Sequence, residues 1–287
     1  MDSEHQSDPD SHPIAQRISD QEIGRFRQII GTYYRRNGRQ FPWRQTSDPY
    51  RILVSELMLQ QTQTERVGPK YAAFLEAFPT INRLAAASLR EVLLLWQGLG
   101  YNRRARYLHE CARQVVVSYD GELPRDPALL VELPGIGPGT AGAVAAFAYQ
   151  IPTVFIETNI RRVYLHFFYP DRDRVHDREL LPLIERTLDK ANPREWYYAL
   201  MDYGVYLRGL FTNPNRRSVH YTRQSRFEDS NRQVRGAVIR ELLTGDATVP
   251  ELALRTSQDE ARVRQVLVEL SEEGMIVAED GVKFGIR

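Results

Sequence analysis

Groups able to grip an anion or to supply a carboxylate concentrate between Leu133 and Val163. The stretch opens with Leu133-Pro134-Gly135-Ile136-Gly137-Pro138-Gly139-Thr140 and reaches Glu157-Thr158-Asn159 after a short apolar helix. Glycines at 135, 137 and 139 let backbone amides approach a ligand closely, and amides at the start of the next helix form an anion site. A glycine-capped helical hairpin is the other reading of the same spacing. Glu157 is either a carboxylate offered to a ligand or a neighbour of a helix N-cap at Thr158 and Asn159. Upstream, Glu56 stands in Ser55-Glu56-Leu57-Met58-Leu59-Gln60-Gln61-Thr62-Gln63. Taken alone it is a helix-surface glutamate, and Gln60, Gln61 and Gln63 are exposed polar side chains. Three local basic groups complete the set: Arg103, Arg104 and Arg106 just after Tyr101; Arg161 and Arg162; and Arg208, Arg216, Arg217, Arg223 and Arg226. Such groups are solvated faces unless they border a binding loop, where phosphate contact becomes their use.

Helices must position these side chains. Ile23, Phe26, Ile29, Ile30 and Tyr33 recur at helical spacing up to Asn37-Gly38, and Ser47-Asp48-Pro49 caps a helix carrying Ile52, Leu53, Glu56, Leu57 and Leu59. Further helices fit 66–78, 80–86, 88–96, 101–119, 126–132, 159–168, 177–190 and 194–207, and nothing in this region reads as strand. Residues 1–18 are polar and proline-bearing and read as a disordered tail, while 208–230 reads as a basic linker laid on a surface. The segment 231–287 reads as a separate small domain. It has helices near 231–243 and 249–255, a third at 258–273 capped by Ser257, and two strands flanking Asp280-Gly281. Three helices and a hairpin predict a winged helix-turn-helix.

Composition narrows the classes. The chain has 287 residues, ample for a proper core, with a net charge of only +1, so a basic surface has to come from local clustering. No apolar run approaches the roughly 18 residues of a membrane span, and the Asp/Ser/His-rich N-terminus does not read as a signal peptide, which would be basic and then apolar. A cytoplasmic, nucleoid-associated monomer with no membrane partner is expected. Cys111 is the only cysteine, which excludes an internal disulfide and any cluster held by four thiolates of this chain.

The Pro-Gly-x-Gly hairpin resembles the helix-hairpin-helix of the DNA glycosylase superfamily that includes endonuclease III and the MutY-type adenine glycosylases. Phe41-Pro42-Trp43-Arg44, Pro49-Tyr50, the Ser55 to Gln63 string and Trp96-Gln97-Gly98-Leu99-Gly100-Tyr101 are similar to MutY-type segments in order and spacing, from residue 20 to about 207. The resemblance implies a mainly α, two-lobed fold, with a six-helix barrel at about 40–150, a second lobe from 19–39 plus 151–207, and the active site in the cleft. It implies that Glu56 is the general acid that protonates adenine at N7, since an adenine anion leaves poorly. It places Glu157 where the family has an aspartate that stabilises the oxocarbenium ion and helps the incoming water. Asn159 matches an orienting asparagine. Tyr101 matches the residue that wedges into the base stack opposite the flipped adenine, Gln60, Gln61 and Gln63 match the polar pocket and wedge segment, and Gly135, Gly137, Gly139, Thr140 and Arg103 are the expected backbone-gripping residues. The implied partner is double-stranded DNA holding a mispaired or damaged base.

Three departures matter. Gly139 stands where endonuclease III-like members have a nucleophilic lysine, which predicts a monofunctional glycosylase that leaves the strand intact. Most relatives carry four cysteines after the segment matching Leu200-Met201-Asp202-Tyr203-Gly204, holding a [4Fe-4S] cluster. None stands here, so a clusterless variant without metal or cofactor is expected. The family's Nudix-like C-terminal domain, which reads 8-oxoguanine, is replaced by the winged-helix pattern. The resemblance thus implies excision of adenine opposite guanine or 8-oxoguanine. A thymine or uracil mismatch glycosylase and a non-catalytic DNA-binding regulator on the same scaffold stay open.

Overall fold

The computed structural model describes residues 14–210, 212–223, 226–279 and 281–287. Among these the chain forms two compact units, one from the segments ending at Gln40 and spanning Ala145–Arg223, the other from Phe41–Val144 and Gln224–Arg287. In the first segment, α1 (Ile14–Arg17) and α2 (Asp20–Asn37) precede the crossing at Gln40. Ser19 caps α2 through a reciprocal box with Glu22. The tail expected over 1–18 is corrected for residues 14–18. Ala15 and Ile18 are buried, and Arg186 donates from Nη1 to the Ala15 and Ile18 carbonyls at 2.6 and 2.8 Å. Three apolar side chains at helical spacing outweighed the polar composition around them. The rest of the expected tail, 1–13, lies outside the described residues.

The second unit holds α3 (Pro49–Leu59), α4 (Thr64–Ala77), α5 (Ile81–Ala86), α6 (Leu89–Trp96), α7 (Arg103–Tyr119), α8 (Pro127–Val131) and the first turns of α9 (Pro138–Tyr149). Asp48 accepts from the Tyr50 and Arg51 amides with Pro49 at the first helical position, as the cap pattern predicts. The core is made by Ile52, Leu53, Leu57, Phe74, Trp96 and Leu108, all almost fully buried. One charged group sits inside it. Arg104, 7% exposed, donates from Nη1 to the carbonyls of Leu57, Met58 and Gln60 at 2.7, 2.9 and 2.6 Å. From Nη2 it reaches Thr62 Oγ1 at 3.0 Å and the Leu99 and Gly100 carbonyls at 3.3 and 3.0 Å. The last carbonyls of a helix have no partner within it, so Arg104 satisfies the open end of α3 and ties it to the turn before α7.

Chain order then returns to the first unit with α10 (Thr158–Phe168), α11 (Asp177–Thr187) and α12 (Pro193–Leu210). Phe26 of α2 packs against Tyr164, Phe167, Phe168 and Trp196. The expected linker is docked rather than loose over much of its length. Pro214–Arg217 forms a 3-10 turn with Asn215 buried, and Asn215 Nδ2 donates to the Thr158 carbonyl at 2.9 Å.

The C-terminal part carries α13 (Asn231–Thr244), β1 (Ala247–Thr248), α14 (Val249–Thr256), α15 (Glu260–Glu272), β2 (Ile276–Glu279) and β3 (Lys283–Ile286). The sheet is antiparallel in the order β1-β3-β2, the winged-helix arrangement. β1 was not expected, because two residues are too few to display alternation. Ser257 does not cap α15. It ends α14 with a positive φ, and Asp259 accepts from the Arg262 amide at 2.8 Å. Gly281 turns the hairpin at φ +66°, while Asp280 lies outside the described residues. No described helix is long and apolar enough to cross a membrane.

Replacing Arg104 with methionine keeps the stem but strands several buried carbonyls. It should lower the unfolding free energy by about 3 kcal/mol, read from the denaturant midpoint; an unchanged midpoint would show that α3 does not depend on this clamp.

Candidate active site

In the second unit the candidate residues gather at the end of α3 and the start of α9. Glu56 is partly exposed between buried Ser55 and Leu57, one turn before α3 ends. Gln60, the C-cap, donates from Nε2 to Thr140 Oγ1 at 3.2 Å, joining the α3 terminus to the hairpin. Gln61 is exposed with φ +55°, and Gln63 is the exposed N-cap residue of α4. The hairpin connects α8 to α9. Gly135 has φ +77°, and an added Cβ would stand 2.5 Å from Tyr107 Cβ, so no other residue fits that turn. Gly137 and Gly139 are exposed at the start of α9, where the first amides lack intrahelical acceptors. Pro138 at that terminus has no N–H to offer.

Tyr101 has φ +49°, following Gly98 and Gly100 at +87° and +72°. The turn is fixed from below by Arg104 and by Trp96, whose Nε1 donates to the Gly100 carbonyl at 3.2 Å. Arg103 is engaged in an ion pair with Glu273.

In the first unit Glu157 is itself the N-cap of α10. Its Oε1 accepts from the Asn159 and Ile160 amides at 2.8 and 3.0 Å, and its Oε2 from Asn159 Nδ2 at 3.3 Å. Capping and the presentation of a carboxylate are therefore one arrangement. Burial lifts the Glu157 pKa above the ordinary glutamate range, against the opposing pull of those two amides and of Arg162 and Arg161. Arg162, 4% exposed, donates from Nη1 to Asn159 Oδ1 and to the Gly204 carbonyl, both at 2.7 Å, and from Nε to Asn213 Oδ1 at 3.2 Å. Asn159 thus has its amide orientation dictated from one side, which points its Nδ2 at Glu157. At Gly204 of α12 an added Cβ would lie 2.5 Å from the Asn159 carbonyl oxygen, so glycine permits the close helix approach.

Sequence reading missed two residues. Arg104 and Arg162 were grouped with arginines available for phosphate; both are buried and spend their donors on protein carbonyls and amides. Arg162 stands three residues after Asn159 and within the buried run Arg162–Leu165 of α10, and its place among apolar neighbours was the available signal. Arg161 pairs with Asp177 through two contacts of 2.7 Å and Arg106 with Glu110. Arg208, Arg216, Arg223 and Arg226 are exposed.

The donor set does not suit an iron–sulfur cluster. Cys111, the only thiol in the sequence, is buried in α7 with its pKa pushed up to about 12 by desolvation. Among the described residues no group of three or more His, Cys, Asp or Glu is arranged to hold a metal ion.

A raised native pKa means that the folded protein takes up a proton more readily than the unfolded chain, so stability tied to Glu157 is present at low pH and lost as pH rises through the native value. Glu157→Gln removes the charge and keeps the acceptor for both amides, while its Nε2 faces Asn159 Nδ2 without a bond. At neutral pH it should raise Tm while removing the charge; a lowered Tm contradicts the burial argument.

Residues 54–185 match the family described as the HhH-GPD superfamily of base excision DNA repair proteins. Over 133 residues the chain is 49% identical to an adenine DNA glycosylase of Mycolicibacterium smegmatis, covering 46% of this chain and 45% of that protein. Over 194 residues it is 34% identical to an adenine DNA glycosylase of Buchnera aphidicola, covering 66% and 54%. The chain spans about half the length of these curated relatives. A solved thermostable thymine-DNA glycosylase is similar with a TM-score of 0.61 at 26% identity, covering 68% of this chain and 91% of that one. The segment similar to the HhH-GPD superfamily of base excision DNA repair proteins, residues 54–185, contains the hairpin, Glu56 and Glu157.

Proposed function

We propose that the protein is a monofunctional adenine DNA glycosylase that hydrolyses the N-glycosidic bond of adenine opposite guanine or 8-oxoguanine in duplex DNA. The observation that carries this reading is the Glu157 carboxylate, held at a helix N-terminus by two amides and by Asn159. Glu56 serves as the general acid at N7 of the departing base, which makes adenine a neutral leaving group. Glu157 faces the sugar as positive charge develops there. Its partial burial makes the negative charge costly in the free protein, and an oxocarbenium ion relieves that cost, so the interaction is stronger in the transition state than before it. The extra methylene relative to aspartate is taken up by the cap, which fixes the longer side chain at both oxygens. Asn159 orients it.

The other residues bind. Gly135, Gly137, Gly139 and Thr140 present amides to a phosphate, Gln60, Gln61 and Gln63 line the base and its partner strand, and Tyr101 fills the space left by the flipped nucleotide. Gly139 supplies no amine, so no Schiff base forms and the strand stays whole. The same reading has the enzyme working without a cluster, with Pro214–Arg217 and Asn213 packed on α10 instead. Similarity to relatives named adenine DNA glycosylase supports the choice of base. The fold's likeness to a thymine-DNA glycosylase supports a second reading, thymine removal from mismatches with guanine.

Single-turnover reactions on duplexes with adenine opposite 8-oxoguanine, adenine opposite guanine, thymine opposite guanine and uracil opposite guanine, developed with alkali, rank these directly. Adenine excision is expected, with Glu56→Gln slowing it by about 10²-fold or more. A pyrimidine leaves with less help from an acid, so thymine excision that ignores Glu56→Gln favours the second reading. No product on any duplex sinks both.

A further inference from the structure

The C-terminal winged-helix part packs within the same compact unit as Phe41–Val144, and three arginines fasten it there. Arg90 of α6 donates from Nη1 to the Leu242 and Leu243 carbonyls at 3.1 and 2.9 Å, closing the end of α13. Glu273 joins Arg103 to Arg235, and Arg235 also holds Glu269 at 2.9 Å. Burial disfavours the Glu273 charge, but hydrogen bonds from Arg103 and Arg235 outweigh it and hold its pKa below the ordinary glutamate value. At the other end of α13, Arg232 donates from Nη1 to the Tyr101 hydroxyl at 2.6 Å, with its guanidinium 5.5 Å from the Tyr101 ring centre and 6.0 Å from that of Phe227. Arg104 lies 5.5 Å from the same Tyr101 ring.

This attachment does not resemble a winged helix that reads DNA with its own third helix. Residues 231–287 carry eight Lys and Arg against ten Asp and Glu, which gives a phosphate backbone no net attraction. On α15, Arg264 is paired with Glu260, and Arg262 with Gln258 and the Asp229 carbonyl. The groove-reading mode needs the opposite arrangement, basic side chains free at the start of the recognition helix. What the C-terminal part does grip is the turn from Gly98 to Arg103, whose left-handed residues cost energy unless the surroundings hold them.

We propose that Arg232 is a positioning residue for Tyr101, so that the winged-helix part contributes to recognition of the mispaired duplex by aiming this aromatic side chain rather than by contacting DNA through its recognition helix. The inference rests on the wedge role given to Tyr101 above. Arg232 presses the hydroxyl end while Arg104 lies against the ring, leaving few orientations for the side chain. A ring ordered before binding spends less entropy on insertion.

The test is a double-mutant cycle on the full chain with Arg232→Met, Tyr101→Phe and both together, plus Arg232→Lys. Two quantities are read: affinity for labelled mismatched and fully matched duplexes by fluorescence anisotropy, and single-turnover base release against enzyme concentration. Each single change should cut the preference for the mismatched duplex by about tenfold, and for base release the loss should fall on the half-saturating enzyme concentration rather than on the plateau rate. The double variant should lose no more than either single one, and Arg232→Lys should recover part of the loss. An unchanged preference in Arg232→Met, or losses that multiply in the double variant, overturns the proposal. Because affinity is measured without cleavage, wild-type protein that releases no base but shows the coupled pair defeats the glycosylase reading and leaves this one standing.

Discussion

A single buried guanidinium organises the end of α3 and the turn before α7 in the larger unit. Arg104 collects three carbonyls from the end of α3 and two from the turn at Leu99 and Gly100, and desolvation pulls its pKa down to about 10, still charged at neutral pH. Nothing acidic is hydrogen-bonded to this guanidinium in the described contacts; peptide dipoles take the place of a counter-ion. Helix α3 can therefore stop abruptly after Leu59, and the chain reverses through Gln60 and Gln61 without orphaned carbonyls. Both the acid of α3 and the turn bearing Tyr101 depend on that stop. Gln60 then extends the arrangement to Thr140 at the hairpin.

The smaller unit solves its own problem by the same means. Glu157 would be an expensive half-buried charge were its oxygens not met by the first amides and the Asn159 side chain of α10. Arg162 fixes the Asn159 oxygen, so the amide keeps its Nδ2 turned to Glu157. Arg162 in turn is fixed by Gly204 and Asn213, one on α12 and one on the arginine- and asparagine-rich stretch that follows it. That stretch carries side-chain amides where relatives are expected to carry thiolates. Hydrogen bonds radiating from a buried arginine thus link it to the end of α10 that holds the carboxylate.

Much of this was legible in the residues. Asp48-Pro49, Ser19 with Glu22, and the Gly135 turn name their structures directly, because caps and left-handed turns admit few residue types. The helical ladder up to Leu207 follows from apolar period and from Pro, Gly, Asp and Ser at the boundaries, and the structure carries the last helix on to Leu210. What the sequence hid were contacts made at a distance in the chain. Arg104 and Arg162 look like their basic neighbours, and only burial separates a clamp from a phosphate contact. The pairing of Arg103 with Glu273 spans 170 positions and leaves no local trace. Ile14 to Ile18 and the two residues of β1 were too short to outweigh their surroundings, and Ser257 was displaced as a cap by Asp259, a stronger acceptor two positions on.

The proposed reaction breaks one glycosidic bond and leaves the backbone whole. Mass spectrometry of a single-turnover reaction on a duplex with adenine opposite 8-oxoguanine, quenched without heat or alkali, reads both products at once. Free adenine should be recovered one for one with a full-length strand bearing an abasic sugar. A strand shortened at that site, or adenine retained in the strand at saturating enzyme, would contradict the account.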